Sequence, residues 1–368
     1  MKLELRKEKI VEAVSKAEKI CSKNSTLSAL ECILFEVNGD NVKIKATNID
    51  LSVSILIPIQ KKDKDGKTLI PASTLNSFLS SLPKNDSVIS FETKGNNIHI
   101  TSESTDTVIN SQSLDDFPDI KEEKAEKIFK IDSNDFINGL NSVWYSTAIS
   151  GIKPELSSVY IYSEENELVF VATDSFRLAE KRIKIKKNGD FESLLIPYKN
   201  VVDIVRVLEG IDEEISLSFM DDQLIVFSDS INIISRVVDG TFPDYKQIIP
   251  KETKTKALVL KEDLAQSLKI SNIFSDNFNQ VIFSLFPEDS IFEVNSTSNE
   301  VGETKNILKS KLSGEVLKIS FNGKYVVDSF NSIKSESISM KFSGVDKPVI
   351  IQGVNDSSFL YLVMPMNK

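Results

Sequence analysis

Short stretches that alternate apolar and polar residues recur along this chain. Residues 41–47 (NVKIKAT), 97–101 (NIHIT), 168–173 (LVFVAT) and 224–228 (LIVFS) all read this way. A period of two is that of a half-buried strand, whose side chains face core and solvent in turn. Other segments place apolar residues at helical spacing. Residues 5–20 carry the stripe on Ile10, Val11, Val14 and Ala17; residues 131–147 carry it on Phe136, Ile137, Leu140 and Val143; residues 260–272 open in the same manner. These are amphipathic helices in expectation, and Ser133 stands where the second would be capped.

The pattern also repeats at long range. Leu69-Ile70-Pro71, Leu195-Ile196-Pro197 and Ser320-Phe321-Asn322 each end a strand and open a helix, spaced 126 and then 125 residues apart. Each of these helices runs into a polar turn and another alternating strand, near Ser87, Glu214 and Ile338. Asp116-Phe117-Pro118-Asp119 returns as Thr241-Phe242-Pro243-Asp244, 125 residues on. Units of this length are too long for solenoid repeats and large enough to hold separate cores. The expected fold class is therefore α+β: three similar domains of antiparallel sheet plus two helices each, over 1–125, 126–252 and 253–368. Charged segments at 121–127 and 251–256 read as the linkers.

Composition narrows the chemistry. Of 368 residues 40% are hydrophobic, enough for real cores, yet no apolar run approaches the ~18 residues of a spanning helix. The first twenty residues mix charge with apolar positions and show no secretory core, which predicts a cytoplasmic protein and no membrane partner. Cys21 and Cys32 are too few for a disulfide framework or zinc cage and read as small buried hydrophobes. The single histidine, His99, lies within an alternating strand, so histidine relays and histidine-rich metal sites are excluded by count. No Gly-x-Ser-x-Gly elbow or Gly-x-Gly-x-x-Gly loop is present, and Asp65-Gly66-Lys67-Thr68 lacks the first P-loop glycine because position 61 is lysine. No catalysis, cofactor or metal is expected. Asp174 and Arg177, the best charges for a hydrolase, read as a structural ion pair.

The net charge of −10 disfavours nucleic acid if spread evenly. The six helical segments together carry +3, which leaves −13 on the remainder. A mildly basic helix set suits weak, salt-sensitive contact with a phosphate backbone without base reading.

Four motifs then stand in a distinctive order. They are Ala172-Thr173-Asp174-Ser175-Phe176-Arg177-Leu178-Ala179, residues 240–250 (GTFPDYKQIIP), residues 321–328 (FNGKYVVD) and Tyr361-Leu362-Val363-Met364-Pro365-Met366. Over its whole length the chain resembles the bacterial DNA polymerase sliding clamp family, the β subunit. The resemblance implies a head-to-tail homodimer of three-domain protomers, closed into a ring with helices inside and sheets outside. It implies duplex DNA in the hole, a tethered replicative DNA polymerase, a clamp loader, and other proteins that carry short clamp-binding peptides. Carried over by motif, one wall of the peptide cleft is Leu156, Thr173, Ser175, Arg177, Leu178, Pro243 and Ile248. The other is Val345 and Lys347 with Leu362, Val363, Met364, Pro365 and Met366; methionine suits a site that accepts several sequences. Lys23, Asn24 and Lys153 are the expected DNA contacts. The strand holding Thr107 and Val108 is expected to meet Ile273 and Phe274 across the dimer boundary. Two departures stand out: Ser175-Phe176 replaces the usual Gly-His, and Asn24 replaces a basic residue. The alternative is a clamp-fold peptide-binding scaffold that does not encircle DNA.

Overall fold

The computed structural model describes residues 1–23, 26–120, 128–185 and 191–366. Asn24 and the expected linker at 121–127 lie outside the described residues. The second expected linker is shorter than anticipated: Thr255 and Lys256 already pair with Gly314 and Ser313 in a strand.

One local device recurs six times: a short strand runs straight into a helix. The pairs are Lys2–Arg6 with α1 (Lys7–Ile20), Gly66–Pro71 with α2 (Ala72–Ser81), Phe129–Asp132 with α3 (Ser133–Val143), Leu194–Pro197 with α4 (Tyr198–Leu208), Thr255–Leu260 with α5 (Lys261–Ile273), and Leu317–Asn322 with α6 (Gly323–Asp328). Leu5, Ile131 and Leu260 therefore lie in the strands that precede the helices instead of opening them. Leu3 and Leu5 are both buried with polar neighbours between them, a period of two that gives way to helical spacing only at Lys7. The cap of α3 also differs from expectation. Asp132 Oδ1 accepts from the backbone N–H of Asn134 and Asp135 (2.9 and 3.3 Å), while Ser133 Oγ is drawn away to the Ile211 carbonyl (2.6 Å). An aspartate cap adds favourable charge at the positive end of the helix dipole.

The chain forms two compact units. Among the described residues, the first takes residues up to Ile137 and Lys199–Val237; the second takes Asn138 to 185, Phe191–Tyr198 and residues from Val238 onward. Unit 1 holds a five-stranded antiparallel sheet, in the order Lys61–Lys64, Lys2–Arg6, Val88–Lys94, Asn97–Thr101, Asp106–Asn110, and an eight-stranded sheet. In the larger sheet, Leu51–Pro58 from the first repeat pairs with Ile231–Arg236 from the second, Ile55 opposite Ile231 and Leu51 opposite Ser235. Unit 2 holds one sheet of twelve strands. Its seam joins Arg177–Lys184 of the second repeat to Phe359–Val363 of the third, Leu178 opposite Leu362. Each unit is thus stitched by the same edge-to-edge pairing of successive repeats, which satisfies backbone groups that a lone repeat would leave open.

Among the open strand edges of the described residues, two occupy the positions in their repeats that correspond to the seam strands. Asp106–Asn110 ends the five-stranded sheet of unit 1. In unit 2 the long strand Gly302–Gly314 pairs with Thr255–Val259 only through 310–314, so residues 302–309 are paired on one side alone.

Cys21 and Cys32 are buried, unbridged thiols. Burial pushes their pKa values up to about 12 and about 11, which keeps both protonated and unreactive near neutral pH.

Candidate functional site

Within unit 2, the hairpin from Glu167–Thr173 to Arg177–Lys184 turns through Asp174, Ser175 and Phe176. Thr173 Oγ1 donates to the Arg177 carbonyl (2.7 Å) and accepts from Ser175 N–H (3.2 Å). Asp174 Oδ1 accepts from the N–H groups of Phe176 and Arg177, each at 2.9 Å. The bonds force Ser175 to φ 77°, a left-handed conformation that glycine adopts without a steric penalty. Phe176 is thereby turned outward, 63% exposed.

Arg177 is buried beneath this turn. Its Nε donates to Asp174 Oδ2 at 2.9 Å, its Nη1 donates to Asp328 at the end of α6, and its guanidinium carbon lies 4.5 Å from the Tyr325 ring centroid. The pairing of Asp174 with Arg177 is structural, as the residue pattern suggested. A planar, always-charged fork suits a site where two carboxylates and an aromatic face must be bound together. Tyr361 completes the support by donating its hydroxyl to the Tyr325 carbonyl at 2.8 Å.

Pro243 and Ile248 stand exposed on the segment around the short 3-10 turn Tyr245–Ile248. Two aromatic pegs hold this segment. Phe242 stacks on Tyr160 with centroids 4.9 Å apart, and both Phe242 and Tyr245 enter a buried cluster with Val169, Val171, Leu178, Leu195 and Leu362. The Tyr245 hydroxyl donates to Glu180 and exchanges a 2.8 Å bond with Tyr162. Arg182 Nε closes the network on Glu180 at 2.7 Å. Burial raises the Tyr245 pKa well above the phenol range, so it remains a donor to that carboxylate. These pegs were not singled out from the sequence. The Phe-Pro-Asp-Tyr spacing is the signal that carries them, because it places two aromatics either side of a chain-stiffening proline.

The chain beyond Val363 passes directly along the turn. Met364 N–H donates to the Phe176 carbonyl at 2.8 Å, and Met366 N–H donates to the Ser320 carbonyl at 2.9 Å. Phe359–Val363 is a central strand, flanked by Arg177–Lys184 and Val349–Gly353.

The expected cleft residues fall into two layers. Leu156, Thr173, Arg177, Leu178, Leu362 and Val363 are buried and act as the support. Ser175, Pro243 and Ile248 are exposed, and Met364, Pro365 and Met366 are half-buried, so these present surface. Val345 and Lys347 are exposed on the loop that leads into Val349–Gly353, whose Val349 lies opposite Val363. Of the remaining expected residues, Lys23 and Lys153 are exposed, and Lys153 follows Ile152 in an open turn. Thr107 is half-buried and Val108 50% exposed on the free edge in unit 1; Ile273, 64% exposed, closes α5 in unit 2 beside half-buried Phe274. The residue pattern did not single out Ile307, 64% exposed on the half-paired strand.

Comparison with known proteins agrees along the whole chain. Residues 1–121, 130–244 and 246–367 match the family models of the N-terminal, central and C-terminal domains of the DNA polymerase III beta subunit. The beta sliding clamp of Bacillus subtilis is 26% identical over 376 residues, covering 100% of this chain and 99% of that one. The beta subunit structure from Thermotoga maritima superposes with a TM-score of 0.93 at 26% identity, covering 100% and 99%. A sliding clamp from Pseudomonas aeruginosa bound to griselimycin gives 0.94 at 19% identity with full coverage of both, a likeness of fold alone. Three domains of antiparallel sheet and helices, each matched by its own family model over nearly the whole chain, place this protein in the family of the DNA polymerase III beta subunit, the bacterial sliding clamp.

Proposed function

We propose that two copies of this chain close head to tail into a ring that encircles duplex DNA and tethers the replicative polymerase. The observation that carries this is the seam rule. The first repeat's Leu51–Pro58 pairs with the second's Ile231–Arg236, and the second's Arg177–Lys184 pairs with the third's Phe359–Val363. Continued by one repeat, the rule pairs the third repeat's strand at 302–309 with the first repeat's Asp106–Asn110, both of which have an open edge. A second copy supplies that contact twice, and a heterologous contact repeated twice closes. Thr107, Val108, Ile273, Phe274 and Ile307 are the side chains assigned to it.

In this reading the domains are 1–125, 126–252 and 253–368. The protein is a processivity factor without catalytic activity, acting in the cytoplasm. Ser175, Phe176, Pro243, Ile248, Val345, Lys347 and Met364–Met366 form the surface on which polymerases, the loader and other partners place short peptides. Lys23 and Lys153 touch the DNA backbone weakly enough to slide, since a closed ring needs no adhesion to stay in place. The decisive experiment loads the protein on nicked circular DNA and then linearises it. A ring is retained at moderate salt on the circle and lost from the linear form. Equal loss from both removes the encircling reading and leaves the non-encircling scaffold.

A further inference from the structure

The turn that carries Ser175 and Phe176 has a twin wholly within unit 1. Asn41–Thr47 turns into Leu51–Pro58 through Asn48, Ile49 and Asp50, and each bond recurs 126 residues earlier in the chain. Thr47 Oγ1 donates to the Leu51 carbonyl (3.0 Å) and accepts from Ile49 N–H (3.1 Å); Asn48 Oδ1 accepts from Asp50 and Leu51 N–H (3.1 and 2.8 Å). Ile49 takes φ 81°, as Ser175 takes 77°. The flanking chain repeats as well. Arg236 N–H donates to the Asp50 carbonyl at 2.9 Å, the counterpart of Met364 on Phe176. Phe117 packs on a buried cluster with Leu34 and Leu69, the counterpart of Phe242 beside Leu195.

Between these parts lies a pocket of about 470 Å³, inside the roughly 300–1,000 Å³ range of small-ligand sites. Ile49, Pro118, Ile120 and Ile234 give it apolar walls, and Asp50, Asp119 and Arg236 add charge. All three charged residues are exposed, and none has an ion-pair partner among the described residues.

We propose that this pocket is a second peptide site, which takes a short extended segment bearing one bulky apolar side chain next to a lysine or arginine. Its chemistry differs from that of the first cleft at two equivalent positions: Asp50 stands for Phe176 and Arg236 for Met364. An all-apolar occupant would strip water from three charges without replacing it. Two carboxylates against one guanidinium favour a cation, and the Arg236 fork is left to donate to the occupant's backbone carbonyls. The two sites therefore select different peptides.

The analogy leans on the cleft reading in unit 2, so the test reads both sites separately. The full chain, labelled at isoleucine δ1 methyls, is titrated with acetyl-Lys-Leu-Ala-Lys-amide, with its Glu-for-Lys counterpart, and with a Gln-Leu-Asp-Leu-Phe peptide. Saturable shifts at Ile49, Ile120 and Ile234 are expected from the basic peptide with a Kd at or below about 1 mM. The acidic peptide should bind at least about tenfold more weakly, a difference of about 1.4 kcal/mol. The double variant Asp50→Lys, Asp119→Lys should lose the basic peptide by a similar factor while Ile248 still responds to Gln-Leu-Asp-Leu-Phe, which reports an intact fold. Absence of saturable shifts at the three methyls, or equal responses to both charges or in the variant, overturns the proposal. A silent Ile248 counts against the cleft in unit 2 and leaves the pocket result standing.

Discussion

Ile49 shows what side-chain identity conceals. A β-branched residue at φ 81° is rare, because its Cβ crowds the neighbouring carbonyl, and the conformation survives only because four hydrogen bonds over-determine the turn. Its side chain is largely exposed, so little burial is lost on truncation. Ile49→Gly is expected to raise stability by about 1 kcal/mol, the strain relieved less the entropy gained by the unfolded chain, as read by urea denaturation. A second residue-scale outcome concerns Glu36, which bridges Lys67 (2.6 Å) and Lys45 (2.9 Å) on adjacent strands. The hydrogen bond from Lys67, opposed by burial and aided by Lys45, holds its pKa down to about 2. A depressed carboxylate stabilises the fold above its unfolded pKa of about 4.3, and the contribution fades as pH falls towards 2. Glu36→Gln should cost about 1 kcal/mol at pH 7, discounted for the exposure of Lys67, with the difference shrinking below pH 4. Neither feature was legible beforehand: alternation reports which face a residue takes, and says nothing of φ or of which lysine lies opposite. Ser175 was legible as a departure from the family motif, but the strain it carries was not.

At the scale of elements, period and spacing located the six helices and a minority of the strands, and erred where one period hands over to the other. Leu5, Ile131 and Leu260 fit a helical stripe and an alternating strand equally well, and only pairing decides, as when Leu5 lies opposite Ile89. Ser133 failed as a cap for a related reason: the competing acceptor, Ile211, is distant in sequence. Close packing is likewise unreadable from one chain. Gly139 of α3 faces the Phe170 ring so tightly that an added Cβ would lie 2.4 Å from its Cε2. Since Phe170 is fully buried and cannot swing aside, Gly139→Ala should destabilise by about 1–2 kcal/mol despite alanine's better helix propensity, measured by chemical denaturation. A stabilised variant would mean that the helix can lift from the sheet. The residues of the expected cleft fall together in unit 2, and their division into buried support and open surface came only with the fold. A linear motif lists residues without saying which of them the sheet encloses.

For the molecule as a whole, the threefold repeat was the most legible feature and the seams the least, because pairing between strands far apart in sequence leaves no local signature. Once the two internal seams are known, the repeat leads to the proposed third, and under that proposal Asp106–Asn110 is the strand to disable. The bonds Ser102 N–H to Thr105 carbonyl and Ser111 N–H to Asn96 carbonyl bracket its ladder with Asn97–Thr101. Alternation between them turns the Val108 N–H towards the free edge. Val108→Pro therefore removes an outward donor without breaking the existing sheet. The most direct measurement is sedimentation mass at micromolar concentration. The wild-type chain should run at twice its 41.1 kDa and Val108→Pro at the single-chain mass with an unchanged far-UV spectrum. A wild-type monomer, or a dimer indifferent to Val108→Pro, would contradict closure through this edge.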